Sequence, residues 1–283
     1  MNILIALIPA LGWGIQPLIL GKIGGKPSNQ ILGTGIGALI VGLIINFTMS
    51  PSPIPTNVFL ISLLSGIFWV IGQVGQYKAL KLIGVSKTMP LTTGLQLIGT
   101  SIISIIFFGE WASNISKVGG AFAILLLIIG AVLTSFSEEN TSKSTFYKGL
   151  MILTLTSVGY WVYSALPKMV NASGLSIFFP QMLGVFIGAT VYTLFSNRRA
   201  FKATVSWKLV VIGLTFSVSA LAYIFAAQAN GVVTAFIMTQ LNVVVATLGG
   251  LLILKESKTH KELIFTLLGL VLIVVGSVIT VFL

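Results

Sequence analysis

Runs of apolar residues long enough to cross a lipid bilayer recur along this chain, and that recurrence admits few folds. Residues 119–136 are the clearest case, with no charged side chain among them. A helix spanning the hydrocarbon core needs roughly 20 mostly apolar residues. Applied along the sequence, that length predicts ten spans, at 3–21, 31–49, 57–77, 88–108, 118–136, 149–167, 176–196, 209–229, 232–254 and 263–282. The expected fold class is therefore an all-α membrane protein. Charged residues make up only 7% of the chain, against about 25% in a soluble domain, too few to cover a surface in water. The first run has no basic residue before it and is interrupted by Gln16 and Pro17, which reads as a retained span rather than a cleaved leader.

The chain also repeats itself. Gln30-Ile-Leu-Gly-Thr-Gly-Ile-Gly-Ala38 returns 151 residues later as Gln181-Met-Leu-Gly-Val-Phe-Ile-Gly-Ala189, with six of nine positions identical. Gly12-Trp13 aligns with Gly159-Tyr160, Ala79 with Ala226, Thr92 with Thr239, Gly109-Glu110 with Lys255-Glu256, and Gly130 with Gly276. The expected organisation is a first five-helix repeat over 1–137, a polar connecting loop at 138–148, and a second five-helix repeat over 149–283. Five is odd, so the second repeat enters the membrane from the opposite side and the two are inverted, as ten helices in two inverted five-helix repeats. Gly33-x-x-x-Gly37 and Gly184-x-x-x-Gly188 occupy equivalent spans. Small residues at that spacing let helices approach closely in lipid; a homodimer interface is the second reading.

Charge supports the inversion. Segments after odd-numbered spans hold 14 of the 16 basic residues, and segments after even-numbered spans hold only Lys117 and Lys168. The positive-inside rule puts the basic face in the cytoplasm and both termini outside, in a multi-pass protein of the cell membrane. The net charge of +11 forms no basic stripe with interleaved aromatics, so nucleic acid is not an expected partner; the lipid bilayer is.

Polar side chains inside spans are costly unless they pair or face a cavity. Trp69, Gln73 and Gln76 fall at i, i+4, i+7, with Tyr77 beside them. Thr88, Thr92 and Gln96 fall at i, i+4, i+8, flanked by Thr93 and Thr100. Trp13 and Gln16, Tyr160 and Tyr163, and Thr239 and Asn242 each stand three apart, with Gln240 adjacent to the last pair. Each pattern gathers amides, hydroxyls and aromatic faces on one side of a helix. A single Thr in such a helix ordinarily bonds back to its own backbone, and each pair alone reads as glue between helices. Together, these residues point to one central cavity without ionised groups. Such a cavity suits a neutral polyhydroxylated solute, whose hydroxyls donate and accept and whose C–H faces lie against rings. No Cys is present, the one His (His260) lies in a charged loop, and no phosphate-binding or metal-ligand pattern occurs. Neither catalysis, a metal nor a cofactor is expected.

The stretch Leu82-Ile-Gly-Val-Ser-Lys-Thr-Met-Pro-Leu-Thr-Thr-Gly-Leu-Gln96 resembles the signature of the bacterial glucose uptake (sugar transport) family of the drug/metabolite transporter superfamily. Pro9-Ala-Leu-Gly-Trp-Gly14, Gly66-Ile-Phe-Trp69, Gly72-Gln73 and Thr247-Leu-Gly-Gly250 resemble other parts of it. The resemblance implies a central substrate site, alternating access, and import of glucose or a similar neutral sugar driven by protons. It carries Lys87, Thr88, Pro90, Thr92, Thr93 and Gln96 onto the family's stretch, and Trp69 and Gln73 onto its third span. Pro90 fits the first turn of a helix, where its missing N–H costs little; a kink is the alternative.

Proton symport needs a titrating group. Glu110, at the negative end of the fourth span's helix dipole, is the candidate. Glu256, beside Lys255 and Lys258, reads as an ordinary interfacial ion pair. A glucose facilitator without proton coupling stays open, as does an exporter of small metabolites, amino acids or drugs on the same scaffold.

Overall fold

The computed structural model describes residues 3–108, 113–136, 143–230, 235 and 238–282. Among the described residues, ten helices of 12 to 28 residues carry the chain: α1 (Ile3–Ile23), α2 (Pro27–Thr48), α3 (Thr56–Ile83), α4 (Val85–Phe108), α5 (Asn114–Thr134), α6 (Lys143–Ala165), α7 (Gly174–Ser196), α8 (Val210–Asn230), α9 (Leu241–Leu252) and α10 (His260–Val281). Short helical turns at Leu166–Met169, Arg198–Lys202 and Thr204–Lys208 lie between them, and no strand occurs among the described residues. Eight helical segments are long and apolar enough to cross a membrane, and the apolar stretches Leu7–Ile23 and Leu241–Leu252 are shorter. Residues 232–234, 236 and 237 of the ninth expected span lie outside the described residues, as does Glu110.

Large apolar side chains cover the outside, and hydroxyls lie inside among a hydrophobic core. Phe47, Phe107 and Phe195 are exposed, whereas Thr34, Ser62, Thr193 and Ser277 are fully buried. The buried hydroxyls donate to backbone carbonyls one turn back, as Thr34 does to Gln30 (2.8 Å), Ser62 to Val58 (2.8 Å) and Thr193 to Ala189 (2.8 Å), which spares them partners that lipid does not supply.

The helix neighbours form a regular scheme. α3 packs along α6 and α7; α1 and α2 pack along α8. α4 meets α6 as α1 meets α9, and α2–α7, α4–α9 and α5–α10 pair with each other. Exchanging α1–α5 with α6–α10 leaves this set unchanged. α5 and α10 rest mainly on one another, so the other eight helices enclose the centre.

Small residues set the closest crossings. A Cβ on Gly33 would lie 2.6 Å from the Leu209 carbonyl carbon, and one on Gly37 would strike the Val210 carbonyl. A Cβ on Gly184 would strike the Leu63 carbonyl of α3, and one on Gly188 would lie 3.0 Å from the Val70 side chain and 3.3 Å from the Ile67 backbone. Both small-residue motifs thus seat one helix of the chain on another.

Three local expectations change. Residues 143–148, expected in the connecting loop, form the first turns of α6, because polar residues continue a helix beyond the hydrocarbon without loss. α4 begins at Val85 rather than 88, so Pro90 lies inside the helix and denies the Ser86 carbonyl its i+4 donor. His260 is the first residue of α10 and is exposed, rather than lying in a loop.

Gly37→Ala is expected to lower stability by about 1–3 kcal/mol through overpacking against α8. The same change at Gly94, whose added carbon would sit 3.5 Å from Ala131, should be neutral or stabilising. Thermal unfolding of the detergent-purified variants checks the contrast.

Candidate functional site

A cavity of about 250 Å³ opens between α1, α3, α4, α6, α8 and the residues around the start of α9. Trp13, Gln16, Trp69, Gln73, Gln76, Tyr77, Thr92, Thr93, Gln96, Tyr160, Tyr163, Thr239 and Asn242 all line it. Thr88 does not: it is fully buried in the first turn of α4, its hydroxyl without a described partner. Glu110 lies outside the described residues.

The polar wall is built on α3 and α6. Gly72 leaves room for the Tyr160 ring, since a Cβ there would lie 2.6 Å from it. The Tyr160 hydroxyl thereby reaches Gln73 Oε1 at 2.7 Å and Gln76 Oε1 at 2.6 Å. One phenolic proton cannot serve two carbonyl oxygens. Gln73 also bonds Tyr77, and Tyr77 donates to Thr34 Oγ1 (2.8 Å), whose own proton goes to the Gln30 carbonyl. Gln73 is thus held on both sides. Gln76 is the under-satisfied member, with its Nε2 against only the Met89 sulfur at 2.9 Å. A ligand hydroxyl donating to Gln76 Oε1 would resolve that conflict.

Further groups are available. Gln16 is buried and its Nε2 has no partner among the described residues. The Thr92 and Thr100 hydroxyls donate to the carbonyls of Thr88 (2.8 Å) and Gln96 (2.7 Å), so they face a ligand as acceptors. Asn242 Nδ2 donates to the Thr239 carbonyl at 2.6 Å. The wall therefore offers both donors and acceptors.

The apolar wall is aromatic. Trp69 stacks at 4.3 Å on Phe216 and stands edge-on to Tyr160 at 6.4 Å. Trp13 donates its indole N–H to the Phe216 carbonyl (3.3 Å) and lies 6.3 Å from the Tyr223 ring. The offset that aligns Ala79 with Ala226 also aligns Trp69 with Phe216 and Gln76 with Tyr223. Of these two pairs, Trp69 and Phe216 meet, their rings 4.3 Å apart at the cavity. That offset is the signal that could have found Phe216. Leu20, Leu80, Met89, Leu97 and Ser164 also line the cavity; as ordinary span residues, they carried no signal.

Among the described residues that line it, none is an Asp, Glu, Lys, Arg or His. At about 250 Å³ the cavity falls below the usual range for drug-sized ligands, about 300–1,000 Å³. The arrangement can hold a small neutral solute by hydrogen bonds and ring contacts, and it presents no counter-ion to a charged one.

Comparison with known proteins agrees with this chemistry. The family described as sugar transport protein matches residues 4–283. The glucose uptake protein GlcU of Bacillus subtilis is 38% identical over 283 residues, covering 98% of this chain and 97% of that protein. A Lactobacillus helveticus protein named for sugar uptake is 46% identical, covering 99% and 100%. A Latilactobacillus sakei protein named for ribose uptake, RbsU, is 42% identical, covering 100% and 98%. A solved crystal structure only 14% identical superposes with a TM-score of 0.67 over 98% of this chain and 96% of that one, a likeness of fold alone.

Tyr160→Phe should deprive Gln73 Oε1 of its phenolic donor and cost about 1–3 kcal/mol of stability. Gln16→Leu, which removes an amide already lacking a partner, should leave stability unchanged or raise it. Thermal denaturation of the empty protein separates the two.

Proposed function

The chain belongs to the sugar transport protein family, and we propose that it imports a neutral monosaccharide, glucose foremost, through this cavity by alternating access. A multi-pass membrane protein of a sugar-uptake family is the premise; the substrate, the driving force and the mechanism are the proposal. The observation that carries it is the convergence of amides, hydroxyls and aromatic faces from six helices on one uncharged cavity of monosaccharide size. A pyranose ring places C–H groups against Trp69 and Phe216 while its hydroxyls meet Gln16, Gln73, Gln76 and Gln96.

Alternating access follows from two inverted five-helix repeats, 1–137 and 149–283, rocking about the central site. Two observations support that organisation: the helix neighbours keep their pattern when the halves are exchanged, and basic residues segregate to one face. In this reading that face is cytoplasmic, the membrane is the plasma membrane, and both termini are outside.

Symport with protons requires a carboxylate that titrates during the cycle, and Glu110 is the candidate. A second reading, facilitation without coupling, is favoured by the absence of ionisable residues other than Tyr from the cavity's lining. The driving force is the only difference between the two readings.

Reconstituted in proteoliposomes, the protein is expected to take up labelled glucose, and unlabelled glucose should compete; ribose serves as the parallel competitor. Gln96→Leu should reduce uptake by about tenfold or more while leaving folded yield intact. Competition by amino acids or apolar amines, with none by sugars, would replace this reading with the exporter. An acid-outside gradient should accelerate entry under symport and leave it unchanged under facilitation.

A further inference from the structure

The cavity is closed toward one end of the bundle by Leu20 and Met89, both buried, with Leu80 beside them. This is the end at which α3 passes into α4. A single residue, Gly84, joins the two helices, with φ +77.

Just beyond the closed end, a carboxylate from the other half of the chain holds the start of α4. Glu256, between α9 and α10, accepts from the Val85 N–H at 2.5 Å and from the Ser86 N–H at 2.9 Å. The first-turn N–H groups of a helix have no intrahelical acceptor, and an anion there is favoured by the helix dipole. Expected as an interfacial partner of Lys255 and Lys258, Glu256 instead serves a helix 170 residues away in sequence.

The surroundings are shaped to this contact. A Cβ on Gly84 would lie 2.8 Å from Glu256 Oε1, and one on Gly250 3.1 Å from Oε2. Lys255 has φ +55, a left-handed conformation unusual outside glycine. It turns the chain so that the Glu256 N–H reaches the Gly250 carbonyl (3.1 Å) and the carboxylate points at α4. Three other charged groups face the site: Lys87 on α4, Lys258 in the same segment, and Glu262 on α10. Lys258 donates to the Thr134 carbonyl (3.2 Å) and to Thr266 (2.6 Å), which ties the segment to α5 and α10.

We propose that Glu256 is a positioning residue, a detachable cap that pins the start of α4 to the end of α9 and keeps this end of the cavity shut. Opening toward this end requires the carboxylate to leave the α4 N-terminus. The inference rests on the transport reading, because only a transporter needs this end to open. The contact suits the role. It consists of one side chain on two backbone N–H groups, so it separates without unfolding either helix. α4 carries Met89 in the floor and Thr92, Thr93 and Gln96 in the wall, and Gly84 is the joint about which its first turns would swing.

The chain has no Cys, so single thiols report access cleanly. Leu80→Cys marks the closed end and Thr100→Cys the opposite end of the cavity. In proteoliposomes, a membrane-impermeant maleimide applied from the α3–α4 side should label Leu80→Cys slowly. Adding Glu256→Ala should speed that labelling about tenfold or more, the shift expected on losing hydrogen bonds to a charged group. Labelling of Thr100→Cys from the other side should fall. Glu256→Gln, which keeps one acceptor oxygen, should give a smaller change of the same sign. Unchanged labelling in folded Glu256→Ala protein, or faster labelling at both thiols, overturns the proposal. If the alanine variant does not fold, Gly84→Ala displaces the carboxylate sterically and is held to the same outcomes. Labelling needs no sugar, so it scores the cap separately from the transport reading, which sugar uptake by the same vesicles scores.

Discussion

Lipid offers backbone N–H and C=O groups no partner, and each unsatisfied one costs several kcal/mol. Everything else in this protein is arranged around that constraint. Each apolar run must close its hydrogen bonds within itself, so the described chain is helical almost throughout. Once helical, the spans gain little by burying Leu against Leu, because lipid is as apolar as the interior. Close backbone approach and satisfied polar groups decide which helices meet. The glycines of α2 and α7 supply the first, resting on α8 and α3. Back-bonded hydroxyls such as Thr34, Ser62 and Thr193 supply the second.

The same constraint explains what could be read from the sequence. Apolar length located the helices, because length is what a bilayer selects. It missed their polar ends: α2 starts at Pro27, α4 at Val85 and α6 at Lys143, where helix continues past the hydrocarbon and hydropathy has nothing to report. Polar residues inside spans were conspicuous because each is expensive, and all of those singled out except Thr88 line one cavity. Thr88 failed for a geometric reason. With 3.6 residues per turn, each step of four drifts about 40° around the helix, so a stripe from 88 through 92 to 96 leaves one end facing away. Apolar lining such as Leu20, Leu80 and Met89 was invisible, since its chemistry matches every other buried position.

Glu256 shows the limit from the other direction. Its sequence neighbours, Lys255 and Lys258, suggested a local ion pair. The groups it serves are backbone N–H donors on α4, which have no sequence signature. Lys258 is drawn into the same buried cluster: burial pushes its ammonium down to about 8, with Lys87 adding to the push and Glu262 and Glu256 opposing it. A cluster whose members depend on tertiary neighbours for both charge and hydrogen bonds cannot be assembled from local spacing.

Neutral chemistry occupies the centre of the protein, and this charged cluster lies at one end. In the described structure the two are separated by the apolar floor of Leu20, Leu80 and Met89. A charge there cannot act on a solute in the cavity by direct contact, and the cavity's own lining has no carboxylate or amine to gain or lose a proton near neutrality. Movement of α4 is one route by which this cluster can act on the cavity, since the start of that helix is held by Glu256 and its middle carries Thr92, Thr93 and Gln96. A neutral site gives each hydrogen bond only about 0.5–1.5 kcal/mol net. Under the proposed function a sugar is then held by many weak contacts, and a shift of α4 removes several of them together.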